Sequence, residues 1–361
     1  MSFKEINGSL CVEEVPLTDI AKDYGTPSYV YSSSLIRKNF ENYSSHLRKQ
    51  DKLCFAVKAN SNIHLLEYLK SLGSGFDVVS GGELKKSLLA GASPENIVFS
   101  GVGKSYEEIE LAIQNNIFSI NLESENELKR VIQIAKDKGV KANCSIRINP
   151  DISTESHPFI ETGNKDSKFG ISSSSAFLVS NRASESGVIN IVGLASHIGS
   201  QIFDKNIILE NLRFLVDLTK EFREKGHLIN TINLGGGLGI RYKDEPEILP
   251  SEFMKDILDI IEPLELKLIF EPGRSIIGNA GVLLTSIEYL KKTDTGNFAI
   301  LDSGMNDLIR PSLYDAWHKV STLEKSSQSG ASPPPQIQKQ SVKIVQKSSK
   351  NLQKSSKNRD F

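Results

Sequence analysis

Cysteine is scarce in this chain of 361 residues. The three present, Cys11, Cys54 and Cys144, are too few for a disulfide framework, and their spacing suits no metal, so no metal is expected. Long apolar runs are missing: none approaches the roughly 18 residues that a membrane span needs. The N-terminus, Met1-Ser2-Phe3-Lys4-Glu5, lacks a basic region followed by an apolar stretch, so no secretory signal is visible and residence in the cytoplasm is expected. Positive charge is also lacking in the body of the chain. The net charge is -1, but nine Lys/Arg and only two acids lie from Lys319 onward. This leaves 34 basic and 42 acidic residues before that point, a net of -8. An acidic body excludes a nucleic-acid-binding core. Hydrophobic residues at 39% and charged residues at 24% exclude a collagen or a largely disordered chain. At roughly 150 residues per domain, the length suggests two domains.

Eight short apolar runs lie between about residue 50 and residue 280: Leu53–Val57, Phe76–Val79, Ile97–Phe99, Phe118–Asn121, Asn143–Ile148, Ile191–Ser196, Thr231–Leu234 and Lys267–Phe270. Most are rich in Val, Ile and Phe and read as buried strands. Amphipathic stretches such as His64–Lys70, Glu107–Ile113 and Leu212–Phe222 separate them and read as helices. Strand–helix alternation predicts a parallel sheet of the α/β class, and eight units match a (β/α)8 TIM barrel. The rival is a doubly wound open sheet. A polar or glycine-rich cluster follows each run, from Lys58-Ala59-Asn60 after the first to Glu271-Pro272-Gly273-Arg274-Ser275 after the eighth. In a barrel all eight clusters converge on one face, whereas an open sheet spreads them along an edge. The barrel is therefore assigned to residues 31–280. Residues 1–30 and 281–325, with strands expected at Ser286–Leu290 and Phe298–Leu301, are assigned to a second, all-β domain built from both chain ends. From Ser326 to Phe361 the composition turns to Ser, Gln, Lys and Pro with a near-repeat, Gln346–Asn351 and Gln353–Asn358. Such a low-complexity tail is expected to be solvated and disordered.

Chemistry is concentrated at the strand ends. Gly235-Gly236-Gly237-Leu238-Gly239 follows the seventh run, where barrels commonly hold phosphate on backbone amides. Arg274, after the eighth run, supplies a guanidinium partner. The plainer reading of GGGLG is a tight turn. Gly101-Val102-Gly103-Lys104-Ser105 contains a GKS, but its first glycine comes too late for a nucleotide-binding P-loop, and it reads as a polar strand-end loop. Lys58 follows an apolar strand, a setting that lowers an amine pKa and suits Schiff-base chemistry. The plainer reading is a surface lysine. Lysine, phosphate cradle and a carboxylate for a pyridinium nitrogen form the constellation that pyridoxal phosphate needs, with Glu271 the natural carboxylate. His197 is placed to stack on such a ring, or is an ordinary core histidine.

These residues carry a family resemblance. The chain resembles the diaminopimelate decarboxylases, of the alanine-racemase-like (fold type III) class of pyridoxal-phosphate enzymes. The matching stretches are Phe55–Asn60, Phe76–Leu84, Phe99–Lys104, His157–Ile160 with Lys168–Gly170, His197–Ile202, Gly235–Gly239, Glu271–Arg274 and Asp302–Tyr314. They run in family order from residue 10 to about residue 320. The resemblance implies a lyase of lysine biosynthesis that removes CO2 from meso-2,6-diaminopimelate to give L-lysine. By the same resemblance Lys58, His197 and Glu271 are catalytic. Asp77, Ser200, Gly235, Gly236, Gly237, Gly273 and Arg274 bind the cofactor with them. Arg274, Arg310 and Tyr314 contact a small amino-acid substrate, and the chain pairs as a homodimer.

One part departs from the family, whose members carry a C-terminal Cys-Glu-Ser motif and a later tyrosine that act across the dimer interface. No cysteine occurs here after Cys144. Val342–Val345 resembles the strand leading to the motif, and the lysine–serine repeat follows it. The C-terminus is expected to be atypical and truncated, and the dimer weakened. Three readings stay open: a working decarboxylase with another proton donor, an impaired homologue, or a cofactor-binding regulator. Decarboxylation of another basic amino acid also remains open.

Overall fold

The computed structural model describes residues 3–152, 168–294 and 296–323. The low-complexity tail and the His157–Ile160 stretch lie outside the described residues. Two compact units divide the chain: Ser33–Ala280, and Met1–Ser32 together with Gly281–Phe361.

In the larger unit eight parallel strands close into a barrel. In chain order they are Lys52–Ala56, Gly75–Val78, Ile97–Phe99, Ser119–Leu122, Ala142–Arg147, Ile189–Ala195, Thr231–Asn233 and Lys267–Phe270. Each falls within two residues of an apolar run read from the sequence. Closure is made by the eighth strand on the first, with Ile269 opposite Lys52 and Phe270 opposite Leu53. The open-sheet alternative is therefore excluded.

Seven of the eight strands are short, three to six residues, and the second, third, fourth and seventh are buried along their whole length. A strand covered on both faces cannot show polar alternation, which is why these segments read as continuous apolar runs. Helices between them start at side chains that satisfy the first free amides. Ser80 accepts from the Glu83 amide, and Ser124 from the Glu127 amide. Ser105 and Glu108 form a reciprocal capping box. Helix Glu125–Lys138 carries glutamates in its first turn and lysines in its last, as its dipole favours, and stops at Gly139 in a left-handed conformation.

The smaller unit is built mainly of antiparallel strands from both chain ends. Phe3–Ile6, Ser9–Val12 and Val15–Pro16 form a three-stranded sheet. Ser28–Tyr31 pairs with Gly281–Leu284, which joins the two ends of the chain. Ile287–Thr293 and Gly296–Leu301 form a hairpin, so the strand expected at Ser286–Leu290 runs further than its apolar residues. Helices Leu17–Tyr24 and Arg310–Tyr314 complete the unit. Among its described residues, Val12, Leu17 and Leu284 pack together in a buried cluster.

Gly193 tests the barrel packing. A Cβ there would meet the Thr231 carbonyl oxygen of the seventh strand at 2.5 Å, while on the other side of Gly193 the register with the fifth strand shifts. Gly193→Ala is expected to lower stability by about 1–3 kcal/mol, the usual cost of overpacking, measured as a fall in the urea midpoint at unchanged slope.

Candidate active site

The first strand ends at Ala56, and a single short turn, Val57–Ala59, carries Lys58 to the C-terminal mouth of the barrel. Its ammonium pairs with Asp77 on the second strand at 2.7 Å; the lysine side chain is 47% exposed and the aspartate side chain fully covered. Asp77 uses only one oxygen in this pair, and Oδ1 is buried without a hydrogen-bond partner. Burial pulls the Lys58 pKa down, but the Asp77 carboxylate, with help from Glu271, more than offsets it, and the net shift is upward. The lowered value expected from the apolar strand is therefore corrected. The counter-ion comes from the next strand, 19 residues away, where the sequence around Lys58 does not announce it.

Glu271 directly follows the eighth strand and is buried. Its Oε1 accepts from Asn233 Nδ2 on the seventh strand. Desolvation, reinforced by Asp77, raises its pKa well above the usual carboxylate range; the Asn233 bond and Lys58 oppose the shift without cancelling it. His197, just past the sixth strand, accepts the Gly236 amide on Nδ1 at 3.2 Å. Burial, then the cations of Lys58 and Arg147, hold its pKa well below the ordinary imidazole range.

The glycine run adopts a shape that requires glycine. Gly235 has φ +66° and Gly237 φ +109°, and a Cβ on Gly237 would meet the Gly199 carbonyl at 2.6 Å. A Cβ on Gly236 would run into the Glu271 carbonyl. The loop is stitched to the segment after the sixth strand: Ile202 donates to Gly237 O at 2.9 Å, and Gly239 donates to Ile202 O at 3.0 Å. Ser200 thereby lies in the strip alongside the glycine turn. Gly273 packs its backbone against Ala56 and Ala59, where a Cβ would meet Ala59 at 3.0 Å. Arg274 opens the short helix Arg274–Ile277, with Nη1 3.2 Å from the Tyr242 hydroxyl.

The barrel mouth thus brings together Lys58, Asp77, His197, Glu271 and Gly235–Gly237. Arg310 and Tyr314 belong to the smaller unit, on the five-residue helix Arg310–Tyr314, where Arg310 Nη1 is 3.1 Å from His318 Nε2. Lys104 is structural. Its fully covered ammonium donates to Gly101 O at 2.6 Å, Asn121 O at 2.8 Å and Glu127 at 2.8 Å, which uses all three hydrogens. The GKS is not a phosphate loop.

Sequence reasoning gave no role to three mouth residues: Asn233, Arg147 and Glu123, the last of them in the polar cluster that ends the fourth run. Arg147 Nη1 pairs with Glu123 Oε1 at 2.7 Å, and both side chains are nearly covered. The available signal was an arginine inside an apolar strand run, since a buried arginine needs a counter-charge.

A family model described as the pyridoxal-binding domain of pyridoxal-dependent decarboxylases matches residues 33–278. Diaminopimelate decarboxylase of Pseudomonas aeruginosa is 45% identical over 323 residues, covering 89% of this chain and 78% of the relative. That of Vibrio cholerae is 46% identical over 319 residues, covering 88% and 76%. Among solved structures, diaminopimelate decarboxylase from Helicobacter pylori complexed with L-lysine matches with a TM-score of 0.81 and 40% identity, covering 84% of this chain and 77% of that one. The enzyme from M. jannaschii, also with L-lysine, matches at 0.82 and 35%, covering 88% and 77%.

Two predictions follow from the charge pairs. Asp77→Asn removes the main counter-charge of Lys58, so its ammonium is expected to titrate at lower pH, by about one unit or more. NMR of 13C-methylated lysines in the cofactor-free protein reads this, with Lys58→Ala assigning the signal; an unmoved titration would refute the pairing. Lys104→Met leaves Glu127 covered without its cation and is expected to cost about 3–5 kcal/mol in a urea melt.

Proposed function

The chain belongs to the pyridoxal-dependent decarboxylase family and, within it, to the diaminopimelate decarboxylases, and we propose on that footing that it converts meso-2,6-diaminopimelate to L-lysine and CO2 as the last step of lysine biosynthesis. The observation that carries this reading is the convergence of an amine, a buried carboxylate and a glycine cradle at one barrel mouth, in a chain so similar to enzymes of that name.

The residues at the mouth fit pyridoxal phosphate. Glu271 is a buried carboxylate whose pKa rises through burial and the neighbouring Asp77 charge, and a protonated ring nitrogen would give it a direct counter-ion. The Asp77 oxygen left without a partner is a second unfilled acceptor. The turn at Gly235–Gly237 leaves no space for side chains, so an anion can approach its backbone closely; its first two amides are donated within the mouth, Gly235 to Asn233 Oδ1 and Gly236 to His197 Nδ1. When bound, pyridoxal phosphate supplies an electron-accepting ring that stabilises the charge left at a carbon losing CO2.

The roles of the chain's own residues then follow. Lys58 presents the amine that the cofactor aldehyde requires, and Asp77 steers that amine. Glu271, held by Asn233 through Oε1, keeps Oε2 for the ring nitrogen. His197, neutral, covers the ring face. Ser200, Gly235, Gly236, Gly237, Gly273 and Arg274 hold the phosphate. Arg274, Arg310 and Tyr314 bind the substrate, where a guanidinium grips a carboxylate through two parallel hydrogen bonds. The proposal includes a homodimer and a cytoplasmic setting; no helix among the described residues is long and apolar enough to cross a membrane.

A second reading, cofactor binding with little turnover, has its own support. The carbon that loses CO2 must gain a proton, and all three cysteines are buried. Burial drives the Cys54 and Cys144 thiols far up, so neither is an available acid–base group.

The test is CO2 release from meso-2,6-diaminopimelate by the purified chain with added pyridoxal phosphate. Release is expected, and Lys58→Ala is expected to abolish it. Cofactor absorbance without release would favour the second reading. Sedimentation equilibrium checks the dimer.

A further inference from the structure

Arg147 and its partner Glu123 are charged mouth residues to which the proposed reaction gives no task. Arg147 ends the fifth strand with 7% of its surface exposed. A cation so covered needs a fixed partner. Glu123 provides it, and is itself held from three directions: Oε1 accepts Arg147 Nη1 at 2.7 Å and the Gly101 amide at 3.2 Å, and Oε2 accepts the Gly170 amide at 2.8 Å. The Phe169 ring lies 4.8 Å from the guanidinium carbon. Carboxylate and guanidinium are therefore both pinned. From this fixed position Arg147 Nη2 lies 3.5 Å from the His197 carbonyl oxygen, a contact at the long limit of a hydrogen bond, so its influence on His197 is exerted mainly through charge.

The imidazole has a matching requirement. Nδ1 accepts the Gly236 amide, and a nitrogen that accepts cannot carry a proton. Protonation there would turn one N–H against another and push away the central glycine of the cradle. The charged groups acting on the ring are Lys58, from the end of the first strand, and Arg147, from the fifth. The nearby carboxylates are otherwise engaged: Asp77 with Lys58, Glu123 with Arg147, and Glu271 with Asn233. The turn on which Nδ1 rests, Asn233–Gly237, has no titratable side chain.

We propose that the Glu123–Arg147 pair is a positioning element that holds His197 as a neutral imidazole accepting the Gly236 amide on Nδ1. The pair thereby joins the fourth and fifth strands to the glycine turn after the seventh, across the mouth. What this does for a ring lying on His197 rests on the pyridoxal reading above; the protonation state of His197 does not.

The experiment uses the full chain freed of cofactor and labelled with 15N-histidine. Long-range 1H–15N spectra are recorded against pH, with His197→Gln identifying one set of signals among the six histidines. In the parent protein His197 is expected to stay neutral, with Nδ1 unprotonated, to about one unit or more below the ordinary imidazole midpoint. Arg147→Met is expected to raise its titration midpoint by about one unit or more, and Arg147→Lys, which keeps the charge, to stay near the parent. Because Arg147→Met strands Glu123, whose bare carboxylate also raises the midpoint, the double variant E123M/R147M serves as the folded control and is expected to show a smaller rise in the same direction. A His197 that titrates near its ordinary value in the parent would overturn the proposal. So would an unmoved midpoint in a double variant with native near-UV circular dichroism. Failure of the same protein to take up pyridoxal phosphate would sink the preceding reading and leave this one standing.

Discussion

Barrel closure is the constraint on which the site depends. The eighth strand pairs with the first, and the Ala56 amide then donates to Pro272 O at 3.1 Å. This brings the neighbourhood of Lys58 against that of Glu271, although more than 200 residues separate them in sequence. Pairing of the eighth strand with the seventh sets Glu271 against the glycine turn, where its amide donates to Gly235 O at 2.7 Å. An open sheet made of the same strands would have left the first and eighth at opposite edges, with lysine and carboxylate far apart.

The closed mouth exacts a second condition. Charged groups inside it are partly or wholly withdrawn from water, so each gains from a partner or shifts its protonation equilibrium. Lys58 has Asp77, Arg147 has Glu123, and Lys104 has Glu127 and two carbonyls. Glu271 has the Asn233 amide as its direct partner, and burial beside Asp77 moves its pKa up against the pull of Lys58 and Arg147. His197, facing two cations, moves down. The two groups that the mouth drives toward their neutral forms are those to which the proposed function assigns the ring nitrogen and the ring face. A site that binds a flat, charged, aromatic cofactor is expected to keep its unmet electrostatic demands in those places.

Much of this was legible in the sequence, for identifiable reasons. Short buried strands appear as apolar runs such as Ile97–Phe99, and strand ends appear as polar or glycine clusters because they face the mouth. Gly235–Gly237 was legible because its backbone tolerates no side chain. Partners were not legible. Nothing near Lys58 points to Asp77, and nothing near Arg147 points to Glu123 24 residues earlier. The Lys58 pKa was misjudged on this account: the apolar strand was visible, the counter-ion was not. Similarly, the hairpin strand Ile287–Thr293 runs on through Lys291 and Lys292, where exposure on both faces erases the alternation that marks a strand.

The sequence by itself determined the order of strands and helices, the parallel α/β class, and which residues stand at strand ends. Those properties are local: periodicity, capping and glycine content act over a few residues. The tertiary structure decided whether the sheet closed, which strand ends became neighbours, and which protonation states the mouth favours. Those depend on desolvation and on charges brought together from distant parts of the chain. Coulomb interactions at 3 Å are set by folded geometry, and no spacing along the sequence specifies them.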